Sequence, residues 1–90
     1  ISLILTSSNE IKLEKESINL KEYLLNIINE KVLGPVEAPV YKIKKKYRQR
    51  ILIIANKTSK IQKKLSEILP KYKLPSEIKL TVDVDPISFN

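Results

Sequence analysis

The chain has 90 residues, which suffices for one domain with its own hydrophobic core. It contains no cysteine and no histidine, which excludes disulfides, Cys/His zinc sites and catalysis by a thiol or an imidazole within this segment. Its net charge is +7. Residues 41–50 hold six cations and no acid, and residues 57–73 hold six lysines and one glutamate. Such zones favour an anionic partner such as nucleic acid, although a charged solvated surface gives the same composition.

The first predicted elements are a strand and a helix. Ile1–Ser7 is an apolar run that indicates a buried strand, too short to cross a membrane and without the basic flank of a secretion signal. A helix is predicted over residues 10–30, with Asn9 as its N-cap and an apolar stripe on one side. Gly34 and Pro35 are expected to end this helical region.

A β-hairpin is predicted next. The prolines at 35 and 39 indicate an extended edge segment over residues 35–39. The hairpin then runs from Val40 to Ala55, with its turn among the lysines 44–46. Its second arm ends in residues 51–54, which are apolar on both faces, as in a central strand.

The last predicted elements are a second helix and a final strand. Thr58 or Ser59 is the expected cap of a helix whose stripe is formed by Ile61, Leu65, Ile68 and Leu69. Residues 78–85 alternate apolar and polar side chains, which predicts a half-buried strand ended by Pro86. The order β-α-β-β-α-β predicts an α+β fold of the split β-α-β, ferredoxin-like type, with two helices on one face of the sheet.

Two registers of the hairpin distribute its charges differently. A loop of Lys45 and Lys46 places Ile43 opposite Arg48 and mixes apolar with charged groups. A three-residue loop, 44–46, places Lys42 opposite Arg48. It also groups Tyr41, Ile43, Tyr47, Gln49, Ile51 and Ile53 on one face. We prefer the second register because it separates polar from apolar side chains better.

The hairpin cations have two explanations. Lysines on an exposed edge prevent aggregation, whereas arginines can bind phosphates through two hydrogen bonds at once. The tyrosines at 41 and 47 offer faces for stacking unpaired bases, or are ordinary sheet packing. No catalytic pattern is present: the single glycine, Gly34, precedes a proline and cannot form a phosphate-binding loop. Asp83 and Asp85 share a strand face, but they have no third metal ligand nearby and are interpreted as structural.

Three motifs together resemble the C-terminal domain of primosomal protein N′, from a family of replication-restart DNA helicases. They are Gly34-Pro35-Val36-Glu37-Ala38-Pro39, the stretch IKKKYRQRILI at 43–53, and Asp83-Val84-Asp85-Pro86. Their order and spacing match over nearly the whole chain. Two positions depart from the family pattern: Lys45 stands where the family usually has glycine, and Gln49 where an aromatic residue is common.

The resemblance implies that residues 1–90 form one DNA-binding C-terminal domain of a longer polypeptide, with a ribosomal-protein-type fold and a cytoplasmic location. The parent would be an ATP-dependent 3′-to-5′ helicase whose ATP, magnesium and zinc sites lie upstream, so no cofactor is expected in this segment. The residues expected to contact fork or single-stranded DNA, independently of sequence, are Lys42, Lys44, Lys45, Lys46, Tyr47, Arg48 and Arg50. Lys60, Lys63 and Lys64 form a possible secondary basic surface.

Three functions remain open at this stage. The first is a DNA-binding module of a helicase, the second a docking module, and the third an RNA-binding domain of ribosomal type. A docking module would hold an acidic tail such as that of single-stranded DNA-binding protein, or the upstream helicase domains. No membrane partner is expected.

Overall fold

The computed structural model describes residues 1–43, 45–55 and 60–83, and their side chains except those of residues 39–43. The elements in chain order are β1 (Ser2–Ser7), α1 (Glu10–Ile27), β2 (Lys31–Ile43), β3 (Lys46–Ile54), α2 (Ile61–Ile68), a short 3₁₀ turn (Leu69–Lys71) and β4 (Lys79–Asp83). The predicted order β-α-β-β-α-β is confirmed.

The four strands form one sheet in the order β2-β3-β1-β4, and each neighbouring pair is antiparallel. The strands joined by α1, β1 and β2, are separated by β3, which is the arrangement of a split β-α-β unit. The predicted fold class is therefore confirmed. The apolar run at 51–54 lies in a central strand, as predicted, and the proline-containing β2 lies at an edge of the sheet.

Helix α1 begins and ends for identifiable reasons. The side-chain oxygen of Asn9 accepts a hydrogen bond of 3.0 Å from the backbone N–H of Lys12, so the predicted N-cap is confirmed. The helix buries Leu13, Ser17, Leu20 and Leu24 against the sheet. It ends at Ile27, earlier than the end at residue 30 that the sequence predicted.

The expectation that Gly34 and Pro35 end the helical region is wrong, because both lie inside β2. Gly34 has a φ of +103°, a conformation that other residues rarely adopt. A Cβ atom at this position would lie 2.8 Å from the carbonyl oxygen of Arg50 on β3. Glycine is therefore required here by the close approach of the two strands, at a shift of register between Leu33 and Val36.

Helix α2 follows the predicted stripe and buries Ile61 and Leu65. The residue that precedes it is Lys60, and the predicted caps Thr58 and Ser59 lie outside the described residues. The final strand is confirmed over Lys79–Asp83; Ile78 precedes it, and residues 84 and 85 lie outside the described residues.

The hydrophobic core lies between the helices and one face of the sheet. Its buried members are Leu3, Leu5, Leu13, Leu20, Leu24, Ile28, Val32, Ile51, Ile53, Ile61, Leu65 and Ile78. At its margin the ring centroids of Tyr23 and Tyr72 lie 4.6 Å apart, and both rings pack against the core. The ammonium group of Lys12 donates a hydrogen bond to the carboxylate of Glu77, which raises the pKa of Lys12.

No helix within the described part of the chain has the length and apolar character needed to cross a membrane.

Candidate nucleic-acid interface

The basic hairpin, residues 42–50, has a different register from both that were considered. Ile43 pairs with Lys46 and Lys42 pairs with Tyr47, so the turn lies between Ile43 and Lys46. The predicted three-residue loop and the predicted opposition of Lys42 and Arg48 are therefore wrong. Both registers assumed a regular ladder. In the structure, four residues of β2 but one of β3 lie between the pairs Lys42–Tyr47 and Glu37–Gln49.

The turn imposes an unusual backbone conformation on Lys45. Its φ is +67°, and it is the one non-glycine residue with positive φ among those described. A β-carbon in this region costs about 1 kcal/mol or more, so glycine would suit this position better than lysine. Despite this cost, lysine occupies the position, and two exposed cations, Lys45 and Lys46, lie at the tip of the hairpin. Lys44 lies outside the described residues.

Strand β3 separates its side chains between the two faces of the sheet. Gln49, Ile51 and Ile53 are buried on the face that the helices cover. Tyr47 is half-buried on the same face and packs against the core, as the preferred grouping predicted for β3. Its packing favours the structural role over base stacking.

The opposite face, here called the open face, carries Arg48 and Arg50, both half-buried. The Nε atom of Arg50 is buried and has no hydrogen-bond partner among the described residues. A buried donor without a partner costs free energy unless something else accepts its hydrogen bond. Because this N–H is buried, it is not itself accessible to a ligand that binds the open face.

Cross-strand pairing aligns further polar groups with these arginines. Arg48 pairs with Thr6 of β1, which in turn pairs with Lys79 of β4. In the next row, Arg50 pairs with Ile4, which pairs with Thr81. Paired residues share a face of the sheet, so both rows lie on the open face.

Sequence reasoning did not include Lys79, Thr6 or Thr81 in the candidate site. The alternation over residues 78–83 does place Lys79 and Thr81 on the polar side of their strand. What it cannot show is that β4 pairs with β1, since that pairing joins residues far apart in the chain. The open face becomes visible as one surface only when the strand order is known.

The far end of the open face has another character. Leu33 and Ile54 are exposed by 38% and 47%, and Leu33 pairs with the half-buried Leu52, whereas the exposed Val36 pairs with Arg50. The row that begins with Leu52 continues through Ser2 to Asp83. The open face therefore changes from basic near the hairpin turn to a largely apolar end that also carries Asp83 and, opposite Ile54, Lys31.

The predicted secondary basic surface lies on the helix side. Lys60, Lys63 and the half-buried Lys64 line a shallow groove of about 450 Å³ together with Ile61, Glu30 and Glu67. Two carboxylates thus adjoin the three lysines, which reduces the positive potential there relative to the hairpin. The structure does not bring this surface together with the hairpin cations, because the helices and the open face lie on opposite sides of the sheet.

No set of three or more acidic side chains converges into a metal site within residues 1–43, 45–55 and 60–83. Asp83 lies at the acidic end of the open face, and its predicted neighbour Asp85 lies outside the described residues.

Comparison with known proteins identifies relatives of this chain. The family model described as the primosomal protein N C-terminal domain matches residues 1–87. The chain belongs to this family. Among curated proteins, it is 41% identical over 91 residues to the replication restart protein PriA of Rickettsia felis, 39% identical over 88 residues to that of Rickettsia typhi, and 30% identical over 90 residues to that of Borreliella burgdorferi.

These alignments cover 98% of this chain but 13–14% of each relative. The chain therefore corresponds to one small domain of proteins about seven times longer. Membership of the family confirms the resemblance drawn from the three motifs. It also connects the domain to DNA replication restart, while the residues that contact DNA remain a prediction.

Proposed function

We propose that this domain binds DNA without reading its sequence and helps to position branched or forked DNA during primosome assembly. The proposal is supported most directly by the basic hairpin. Its tip presents Lys45 and Lys46 to solvent, and Arg48 and Arg50 follow on the open face. The segment 41–50 contains no acidic residue that would neutralise them.

The physical basis is attraction between these cations and the phosphate backbone. Each phosphate neutralised by a lysine or arginine releases condensed counterions, and this release drives binding that depends on salt but not on sequence. Arginines add bidentate hydrogen bonds to phosphate oxygens. Contacts of this kind orient a protein on DNA, whereas specificity for a sequence requires contacts with base edges.

In this proposal the domain acts in the cytoplasm as the DNA-positioning part of a longer ATP-dependent 3′-to-5′ helicase. ATP, magnesium and zinc would be bound by other parts of that polypeptide. The domain itself would supply cations and no catalytic group.

The test is fluorescence anisotropy of the 90-residue chain with a labelled DNA fork, titrated across salt concentrations. Three double charge reversals are compared: K45E/K46E in the hairpin turn, K60E/K63E on α2, and K15E/K21E on α1 as a control with the same change of net charge. We expect a log–log salt slope of about −3 to −5 for the unaltered chain, corresponding to roughly four to six phosphates.

The hairpin reversal should abolish measurable binding, and the control should weaken it only slightly. Equal losses in all three variants would show that net charge alone drives binding, which contradicts the proposed role of the hairpin. An unaltered chain that does not bind at low salt would contradict DNA binding altogether. Tighter binding to a hairpin RNA than to the fork would favour the RNA-binding function.

A second candidate function, docking to protein, is favoured by the apolar end of the open face. The side chains of Leu33 and Ile54 are exposed there, and exposed apolar patches commonly mark protein contacts. The partner would be the upstream helicase domains or single-stranded DNA-binding protein. Loss of partner binding in an Ile54→Asp variant, with binding to the fork unchanged, would support this function.

A further inference from the structure

We infer that the DNA-contacting surface continues from the basic hairpin across the open face of the sheet to β4, where Lys79 binds a phosphate of the same DNA strand. This inference rests on the proposed DNA binding and adds three residues to it: Thr6, Lys79 and Thr81. None of them belongs to the basic segments recognised from the sequence.

The register of the sheet places the three groups beside the arginines. One row across three adjacent strands is formed by Arg48 on β3, Thr6 on β1 and Lys79 on β4. In the next row, Arg50 lies on β3 and Thr81 lies on β4. Neighbouring strands are about 4.8 Å apart, so the backbone positions of Arg48 and Lys79 are separated by about 10 Å. One strand of a DNA duplex carries a phosphate about every 3.4 Å along the helix axis, so cations about 10 Å apart can contact different phosphates of the same strand.

The chemistry of the two rows suits a sugar-phosphate backbone. Cations stand at both ends of the first row, and the hydroxyl group of Thr6 lies between them as a hydrogen-bond donor to phosphate oxygens. In the second row the half-buried Arg50 adds a further cation. None of the side chains described on this face is aromatic, so contacts with the backbone are favoured over stacking of bases.

The charge distribution fixes where the surface ends. Lys79 is exposed at the edge of the sheet that lies farthest from the hairpin strand β2. The third row ends at Asp83, whose carboxylate would repel phosphates. DNA is therefore expected to cross the strands near the hairpin turn, from β3 to β4, rather than to follow a strand towards Asp83.

The test uses loss and gain of charge in the same anisotropy titration with a labelled fork. Lys79→Glu is compared with Lys15→Glu, which makes the same charge change at an exposed position on α1. Thr81→Lys is compared with Asn19→Lys, which adds a cation to the exposed side of α1. Circular dichroism of each variant confirms that it is folded.

Lys79→Glu should weaken binding about three- to tenfold and reduce the magnitude of the salt slope by about 1, while Lys15→Glu changes both much less. Thr81→Lys should tighten binding and steepen the slope by about 1, more than Asn19→Lys does. The gain-of-charge arm keeps the inference testable if Lys79→Glu is poorly folded.

The inference is overturned if each open-face variant behaves like its α1 control while K45E/K46E still abolishes binding; the hairpin proposal then stands. If the unaltered chain does not bind the fork, the proposed function itself fails. Weaker binding of Lys79→Glu to an acidic peptide, with the fork affinity unchanged, would also overturn the inference and assign the surface to a protein.

Discussion

The covered and the open faces of the sheet are made by the same strands and have opposite characters. On β1 and β3 the side chains that face the helices include Leu3, Leu5 and Ile51, none of which is exposed to solvent. The alternate positions on the same strands hold Thr6 and Arg48. The strand alternation therefore places the stabilising contacts on one side and the cations on the other.

This separation implies that stability and binding can be altered independently. Burial of apolar surface contributes about 25 cal/mol per Å², so changes on the covered face act on the free energy of unfolding. Exposed cations contribute little to folding, and their mutual repulsion even opposes it, so their loss acts mainly on affinity for an anion. Substitutions on the helix side test this independence, because they should change the free energy of unfolding and leave the affinity for DNA unaltered.

The largest effect is expected from Leu20→Ala on α1. Leu20 is fully buried, so truncation loses apolar burial and leaves a cavity, which should lower the free energy of unfolding by about 2–5 kcal/mol. Leu25 on the same helix is 51% exposed, and Leu25→Ala should change it by about 0.5 kcal/mol or less. Urea denaturation measures both. The separation of the two faces is refuted if the folded Leu20→Ala protein binds the fork with a changed salt slope.

A smaller effect is expected from removing the cap of α1. Asn9→Ala leaves the backbone N–H of Lys12 without its side-chain acceptor and should cost about 1 kcal/mol. Asn26→Ala is the matched control, because Asn26 lies in the same helix and its side chain donates to the carbonyl of Glu22 from an exposed position. Thermal and urea unfolding should separate the two variants. Equal destabilisation would show that the side chain of Asn9 contributes no more to stability than the exposed side chain of Asn26 does.

Much of this architecture was predictable because local patterns determine it. The alternation over residues 78–83 predicts a strand with one buried face, and Asn9 at the start of an apolar periodic segment predicts a helix cap. These signals use neighbouring residues and need no knowledge of the rest of the fold. The order of elements then limits the topology to very few arrangements.

The parts that were mispredicted depend on contacts between distant segments. The close approach of β2 to the carbonyl of Arg50 is what requires glycine at 34, and the sequence alone made the same residue look like a helix terminator. Three successive lysines at 44–46 give no local preference for one register, and the irregularity of β2 decides it. The placement of Lys79 beside Thr6 and Arg48 likewise requires the strand order.

The smallest expected effect concerns pH and the margin of the covered face. Burial raises the pKa of Tyr72 above its ordinary value of 10.0, and the negative charge of Glu16 and the neighbouring Tyr23 raise it further. The folded chain therefore holds this proton more tightly than the unfolded chain does. The stability gained in this way is fully present below about pH 10 and is lost as the pH rises through the raised pKa.

Tyr72→Phe should therefore lose less stability between pH 9 and pH 11 than the unaltered chain, as measured by urea denaturation at each pH. The ionisation of lysines occurs in both proteins and cancels in the comparison. Absorbance of the phenolate gives a second measure, since Glu16→Gln should lower the pKa of Tyr72 without returning it to its ordinary value, because burial is the larger cause. An identical loss of stability in both proteins would show that the ring of Tyr72 is as well hydrated in the folded chain as in the unfolded one. The margin of the helix layer would then be open to water, and the contrast between the two faces would be confined to the centre of the sheet.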